Sequence, residues 1–318
     1  MKKKLNVAVI GCGFWGWNHL RVLNEIPDAN LVAAADINSE RLRIINARYN
    51  VKTYRDYKEM LEKESLDAVT ICTPSNTHSK IALDVIHSNV HLLVEKPMTT
   101  TVKEAVEVVR EAEKRGLKLL VGHIERYNPG VERVKKLIEE GRIGKPVLIS
   151  SRRVSRWPIR IGDVGVIKDL AIHDLDIMRY LTGKEPTEIY AIAGSIHHKY
   201  EDYAHITLKF NGTPTAFIES NWLTPKKIRE LNVTGSDGMI TLNYITQEIK
   251  IADSEGTYIP SVKWNEPLKN ELQHFVNSVL GREKPRVNGR DGAIAVYLCE
   301  AALRSASTGR PMKIKLPL

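Results

Sequence analysis

Leu5-Asn-Val-Ala-Val-Ile10 runs without a break into Gly11-Cys-Gly13-Phe-Trp-Gly16 and then into a helix-like stretch. An apolar strand followed by G-x-G-x-x-G is a turn with three separate demands. Gly11 permits the tight bend, Gly13 lets the backbone come close to a pyrophosphate, and Gly16 lets the next helix pack on the strand. The N–H groups opening that helix then face the phosphates. A second apolar strand, Asn30 to Ala35, ends in Asp36, 20 residues past Gly16. A carboxylate there accepts hydrogen bonds from both ribose hydroxyls, which points to NAD(H). It would repel the 2′-phosphate of NADP(H), although Arg41 nearby leaves that cofactor open. A tight turn with no ligand is the plain alternative. Flavin shares the fingerprint, but nothing further along suggests a second large cofactor site.

The 318 residues are long enough for two domains, and 42% hydrophobic with 27% charged residues is ordinary for a globular protein. No apolar run reaches membrane-spanning length. Met1-Lys2-Lys3-Lys4 is basic, but Leu5 to Ile10 is too short for a signal-peptide core, so the expected location is cytoplasmic, with no membrane partner. Cys12, Cys72 and Cys299 form no C-x-x-C pair, which argues against a disulfide framework and against a metal site. The net charge of +9 is spread along the chain rather than gathered into a nucleic-acid footprint. Its densest cluster is Arg152, Arg153, Arg156 and Arg160, followed by Lys168. That cluster reads either as a solvated basic face or as a pocket for a phosphorylated or acidic substrate.

Past Asp36 the pattern alternates. Helices are expected over 39–48, 56–63, 79–88 and 102–115, and strands over 51–54, 68–72, 90–94 and 117–122. Such alternation implies a doubly wound parallel sheet, a Rossmann arrangement, covering residues 1–122. From 123 to 318 the pattern changes to an α+β domain on an open antiparallel sheet. A helix is expected over 128–140 and another over 169–181. Strands follow over 147–154, 188–197, 204–210, 215–222, 227–235, 238–243 and 248–252, then helices over 268–280 and 289–308 and a closing strand over 313–316.

In an open parallel sheet, ligands bind beyond the carboxyl ends of the strands. Thr73-Pro74, Glu95-Lys96-Pro97 and the segment after Gly122 lie at such ends. Lys96 directly follows a buried strand, and desolvation favours a neutral amine. It could polarise a carbonyl or stabilise an alkoxide, or be a solvated strand-end lysine; Glu95 is its ion-pair partner or a loop acid. In the expected helix, Asp169, His173, Asp176 and Tyr180 share one stripe, while Leu170, Ile177 and Leu181 share an apolar one. A carboxylate one turn from an imidazole holds its tautomer and supports its positive form, as a general base near neutral pH requires. The same stripe could instead be a solvated surface.

Gly11-Cys-Gly-Phe-Trp-Gly16, Glu95-Lys96-Pro97, His123-Ile-Glu-Arg126-Tyr-Asn128-Pro129 and Asp169-x-x-x-His173, taken in order, resemble the Gfo/Idh/MocA oxidoreductases over essentially the whole chain. The stretch from Arg152 to Leu181 is most similar to nucleotide-sugar members, in particular UDP-N-acetylglucosamine 3-dehydrogenases. It departs from them where a glycine-rich run is replaced by Gly165-Val166-Ile167-Lys168. The resemblance implies Lys96, Asp169 and His173 as the catalytic set, with the choice of lysine or histidine as base left open. It implies a cofactor set of Gly11, Gly13, Phe14, Trp15, Gly16, Asp36, Thr73, Pro74, Asn76, His78, Glu95, Lys96 and Pro97. Substrate contacts are expected from Lys96, Arg126, Tyr127, Asn128, Arg153, Arg156, Arg160, Asp169 and His173. The implied activity is NAD-dependent oxidation of a sugar secondary alcohol, first the 3-hydroxyl of a UDP-N-acetylhexosamine. The implied assembly is a homodimer or homotetramer. A dehydrogenase of a free polyol such as an inositol, and an NAD-binding regulator without turnover, are the alternatives.

Overall fold

A computed structural model describes residues 4–158 and 162–318. The first sheet comprises β1 (Leu5–Ile10), β2 (Ala29–Ala35), β3 (Lys52–Tyr54), β4 (Ala68–Ile71), β5 (His91–Glu95) and β6 (Leu119–Gly122). They lie in the order β3-β2-β1-β4-β5-β6, and every neighbouring pair is parallel. The order reverses between β1 and β4, so a crevice opens there at the carboxyl ends. Val7, Ala8 and Val9 are fully buried, as are Ala68, Val69, Thr70 and Ile71, which is the burial that a parallel sheet covered on both faces needs.

The connecting helices are α1 (Phe14–Glu25), α2 (Ser39–Tyr49), α3 (Tyr57–Lys63), α4 (His78–His87) and α5 (Val102–Lys114). Each of three starts is fixed by its own residues. Asn38 accepts from the N–H groups of Glu40 and Arg41 at 3.0 Å each. Asp56 accepts from Lys58 N–H at 2.9 Å. Thr101 and Glu104 form a reciprocal capping box. α5 then turns Ala105, Val108, Val109 and Ala112 inward, at helical spacing.

The second sheet has nine strands, in the order β14-β13-β12-β11-β7-β10-β9-β8-β15. They are β7 (Pro146–Arg156), β8 (Glu188–Gly194), β9 (Tyr203–Lys209), β10 (Thr215–Asn221), β11 (Leu223–Gly235), β12 (Gly238–Asn243), β13 (Ile249–Asp253), β14 (Gly256–Tyr258) and β15 (Met312–Lys313). The expected antiparallel sheet is therefore mixed: β7 and β10 run parallel. The chain between them passes through α7 (Ile172–Thr182) and the β8–β9 pair, a connection long enough to return in the same direction. One face buries Ile149, Ile206, Leu208, Ile218, Leu231, Val233 and Ile240 with Val131, Val134 and Leu137 of α6 (Pro129–Glu139) and Leu175 and Met178 of α7. The alternate residues Leu148, Tyr190, Ile192 and Phe217 are exposed.

The expected helix over 169–181 differs at its start. A π-helical turn spans Ile167–Ala171 and carries Asp169, and α7 begins only after it. Such turns widen the helix by one residue and recur at functional sites.

Two compact units emerge: Met1–His123 with Leu268–Ala293 and Leu318, and Ile124–Pro267 with Ile294–Pro317. The first unit thus includes most of α8 (Pro267–Val279) and the start of α9 (Gly289–Thr308). Lys269 Nζ meets Glu25 at 3.2 Å, Arg282 makes two bonds to Asp28 at 2.5 and 3.2 Å, and Arg290 meets Glu113 at 2.8 Å.

Candidate functional site

In the first unit the glycine loop joins β1 to α1. Gly11 has φ +85°, and a Cβ on it would stand 2.7 Å from Thr73. A Cβ on Gly16 would stand 1.8 Å from the Gly11 carbonyl oxygen. Gly13 is different: a Cβ there would meet nothing within 4 Å, so the backbone is open at the point where a phosphate must approach. No side chain caps α1, and its first turn carries no acid. An uncapped helix start free of negative charge suits an anion.

Asp36 lies at the end of β2 and is 9% exposed. Its Oδ2 accepts the Cys12 N–H at 2.7 Å and its Oδ1 accepts the Asn38 N–H at 2.8 Å. Both oxygens are thereby aimed, and each keeps a lone pair for a ribose hydroxyl. Arg41 Nη1 sits 3.7 Å from Oδ2. The Cys12 thiol beneath is pushed up to about 12, first by burial and then by Asp36. These residues fit a dinucleotide at the loop.

The other strand ends gather at the same edge. Lys96 is half-buried after β5. Glu95 is not a loop acid: its Oε1 accepts from His19 Nε2 at 3.1 Å, and its Oε2 accepts the Lys96 N–H at 3.1 Å. Burial alone would raise its carboxyl, but the His19 bond, the His19 charge and then Lys96 outweigh it and hold the group below the usual carboxylate range. Gly122, opposite Glu95 on β6, leaves room for that carboxylate, which would lie 3.0 Å from a Cβ. His78, expected at the cofactor, is 1% exposed, and its two ring nitrogens each lie 2.8 Å from a backbone oxygen, of Thr73 and of Pro97. It ties two strand-end loops together. Thr73 is half-buried, and Phe14, Pro74 and Asn76 are exposed beside the loop.

In the second unit the arginines are placed differently from expectation. Arg153, 3% exposed, gives Nε and Nη2 to Asp174 at 2.6 and 3.1 Å and Nη1 to Glu125 at 2.8 Å, with its guanidinium 4.7 Å from the Tyr244 ring centre. Arg126 holds Asp176 through two bonds at 2.7 and 2.6 Å. Both were expected to meet substrate; instead each is consumed by a buried carboxylate, because an unpaired charge at such depth is too costly. Tyr127 is 1% exposed, and Asn128 is spent capping α6 and bonding the Tyr244 carbonyl at 3.0 Å. Asp176, expected on a stripe with His173, belongs to the Arg126 pair. Arg156 is exposed, Arg152 pairs with Glu219 at 2.9 Å, and Arg160 lies outside the described residues. Asp169 is 3% exposed on the π-helical turn, and His173 is half-buried one turn on. Over Gly165 stands the Glu201 carboxylate, 2.2 Å from where a Cβ would be; it accepts the Ile167 N–H at 3.1 Å and caps the π-helical turn. The departure at Gly165-Val166-Ile167-Lys168 is thus filled by an acid from elsewhere in the chain. Burial, first among its causes, raises the Glu201 carboxyl.

Residues 5–123 match the family profile described as "Oxidoreductase family, NAD-binding Rossmann fold", and residues 131–241 match "GFO/IDH/MocA C-terminal domain". The rhizopine catabolism protein MocA of Rhizobium meliloti is 32% identical over 310 residues, covering 94% of each chain. The chain belongs to the GFO/IDH/MocA oxidoreductase family. Among its relatives, the myo-inositol 2-dehydrogenase of Thermotoga maritima is 29% identical over 98% of this chain and 99% of its own. The UDP-N-acetylglucosamine 3-dehydrogenase of Acidithiobacillus ferrooxidans is 26% identical over 86% of this chain and 88% of its own. In fold, this GFO/IDH/MocA member superposes with a TM-score of 0.91 on an oxidoreductase from Agrobacterium radiobacter solved with NAD+, L-tartaric acid and magnesium, at 23% identity and 98% coverage of both chains. No helix among the described residues is long and apolar enough to cross a membrane.

Proposed function

We propose that this GFO/IDH/MocA member oxidises a ring secondary alcohol of a sugar, and that the sugar is carried on a nucleotide, with the 3-hydroxyl of UDP-N-acetylglucosamine as first choice. What supports the oxidation is an open, aimed dinucleotide loop in the first unit and, within the second, a buried carboxylate on a π-helical turn followed by a half-buried imidazole in the first turn of α7. Bound NAD supplies the hydride acceptor. Lys96 Nζ donates to the reacting oxygen and holds its developing charge. The His173 imidazole takes the hydroxyl proton, and Asp169 orients and balances it. The second unit is then the part that binds substrate, and the exposed apolar side of its sheet is the natural contact of an oligomer.

Two observations bear on the sugar. For a nucleotide sugar, the UDP-N-acetylglucosamine 3-dehydrogenase relative stands beside a local feature: exposed Arg156 precedes Trp157, whose ring stacks on His198 at 4.1 Å, a cation and an aromatic plane suited to phosphate and base. For a free polyol, the myo-inositol 2-dehydrogenase relative stands beside the loss of Arg126 and Arg153 to internal pairs. A panel of UDP-sugars, free hexoses and inositols, followed by NADH absorbance, decides between them. Lys96→Ala and His173→Ala are each expected to lower kcat by about 10²–10⁴-fold while NAD affinity stays unchanged. Wild-type turnover in both would remove this chemistry, and turnover of inositols alone would remove the nucleotide.

A further inference from the structure

The helix-facing side of the second sheet carries polar groups that the protein itself does not satisfy. Arg229 on β11 is in register with Arg153 on β7, and Arg153 with Ser220 on β10, so the three form one row across adjacent strands. Arg153 has its carboxylates. Arg229 Nη1 is buried with no hydrogen-bond partner among the described residues, and so are Ser220 Oγ and, just past the end of β10, Trp222 Nε1. A buried donor or acceptor left unmatched costs about 1–3 kcal/mol, and three beside one another on one face call for a cause.

Charge balance alone does not supply it. Asp174 and Glu125 together carry one negative charge more than Arg153, and Arg229 offsets that charge without touching either acid. What its buried Nη1 lacks is an acceptor lone pair. Burial, and then the like charge of Arg153, push its guanidinium down to about 10 in spite of Asp174, Glu125 and Asp169. The protein therefore holds this cation at a cost. Asp169 is one of the groups acting on it, and the π-helical turn bearing Asp169 packs on β7, β9 and β10. The unsatisfied row lies beside the acid assigned to the chemistry.

We propose that Arg229 is a substrate-recognition residue whose guanidinium donates to hydroxyl oxygens of the sugar ring, with Ser220 and the Trp222 indole N–H contributing on the same side. The inference rests on the sugar reading above and deepens it: the second unit selects for adjacent ring hydroxyls, through a forked donor rather than through net charge.

Arg229→Met and Arg229→Lys test it with two independent readouts. The first is binding of UDP-N-acetylglucosamine and of myo-inositol, the probes, measured by titration with NAD present. Arg229→Met is expected to weaken the bound probe by roughly tenfold to a hundredfold, as loss of a charged hydrogen bond does. Arg229→Lys falls between, since it keeps the charge and loses the fork, and NAD affinity is unchanged in both. The second readout is Tm without sugar. It is expected to rise in Arg229→Met, because a costly buried cation has been removed. Unchanged probe affinity overturns the proposal, and so does a lowered Tm, which would make Arg229 an internal counter-ion. If the wild type neither binds nor oxidises any sugar, the reading of function fails. The Tm readout then still decides Arg229: a rise leaves it a recognition group for another oxygen-rich ligand, and a fall ends the proposal.

Discussion

Asp36 accepts one backbone N–H on each oxygen, at 2.7 and 2.8 Å, so the loop itself holds its carboxylate in one orientation. Asp36→Ala removes the ribose acceptors and frees Arg41, which lies 3.7 Å away. The expected outcome is a fall of about tenfold to a hundredfold in kcat/KM with NAD and a smaller fall with NADP, measured by initial rates with each cofactor. Equal losses with both would show that Asp36 only braces the loop. The place of this acid just past β2 was legible in the sequence, because an apolar run bounded by a polar residue marks where a strand stops. Arg126 and Arg153 were not, because their partners, Asp176 and Asp174, lie 50 and 21 residues away, and a basic stretch looks the same whether its cations face solvent or buried acids. Arg229 was hidden for the opposite reason: within the strand over 227–235 it is an ordinary alternating residue, and only the register across β11, β7 and β10 sets it in a row with Arg153 and Ser220.

At the scale of elements, the turn between β1 and α1 tolerates no side chain at its last glycine. Gly16→Ala would bring a Cβ to 1.8 Å from the Gly11 carbonyl oxygen, and α1 would have to move away from β1. A loss of about 1–3 kcal/mol is expected by urea unfolding, together with weaker NAD binding by titration. A variant with unchanged stability and unchanged NAD binding would contradict this packing. The glycine pattern was readable because each position answers a local steric demand. The π-helical turn was not: Asp169 and His173 are spaced four apart in either geometry, and the acid that accepts from its first N–H, Glu201, comes from the segment before β9.

For the whole molecule, the parallel character of the first sheet followed from alternation alone, since strands joined through helices return in the same direction. The parallel contact of β7 with β10 did not, because alternating strands look alike in either direction. The Arg153 pair ties β7, α7 and the turn over 124–127 into one core. Arg153→Ala would leave the buried Asp174 and the half-buried Glu125 without their shared cation. It is expected to destabilise the protein by about 3–5 kcal/mol in guanidinium unfolding, far more than any exposed arginine such as Arg156.

The return of residues 268–293 to the first unit has an effect in time as well as in space. Asn288 bridges to Leu120, and the Val287 carbonyl accepts from Val121, so the open edge of β6 is closed by residues near the far end of the chain. On the ribosome, the β6 edge therefore stays open until about 170 further residues have been made. An N-terminal fragment ending near His123 would emerge with that edge bare and inclined to pair with other chains.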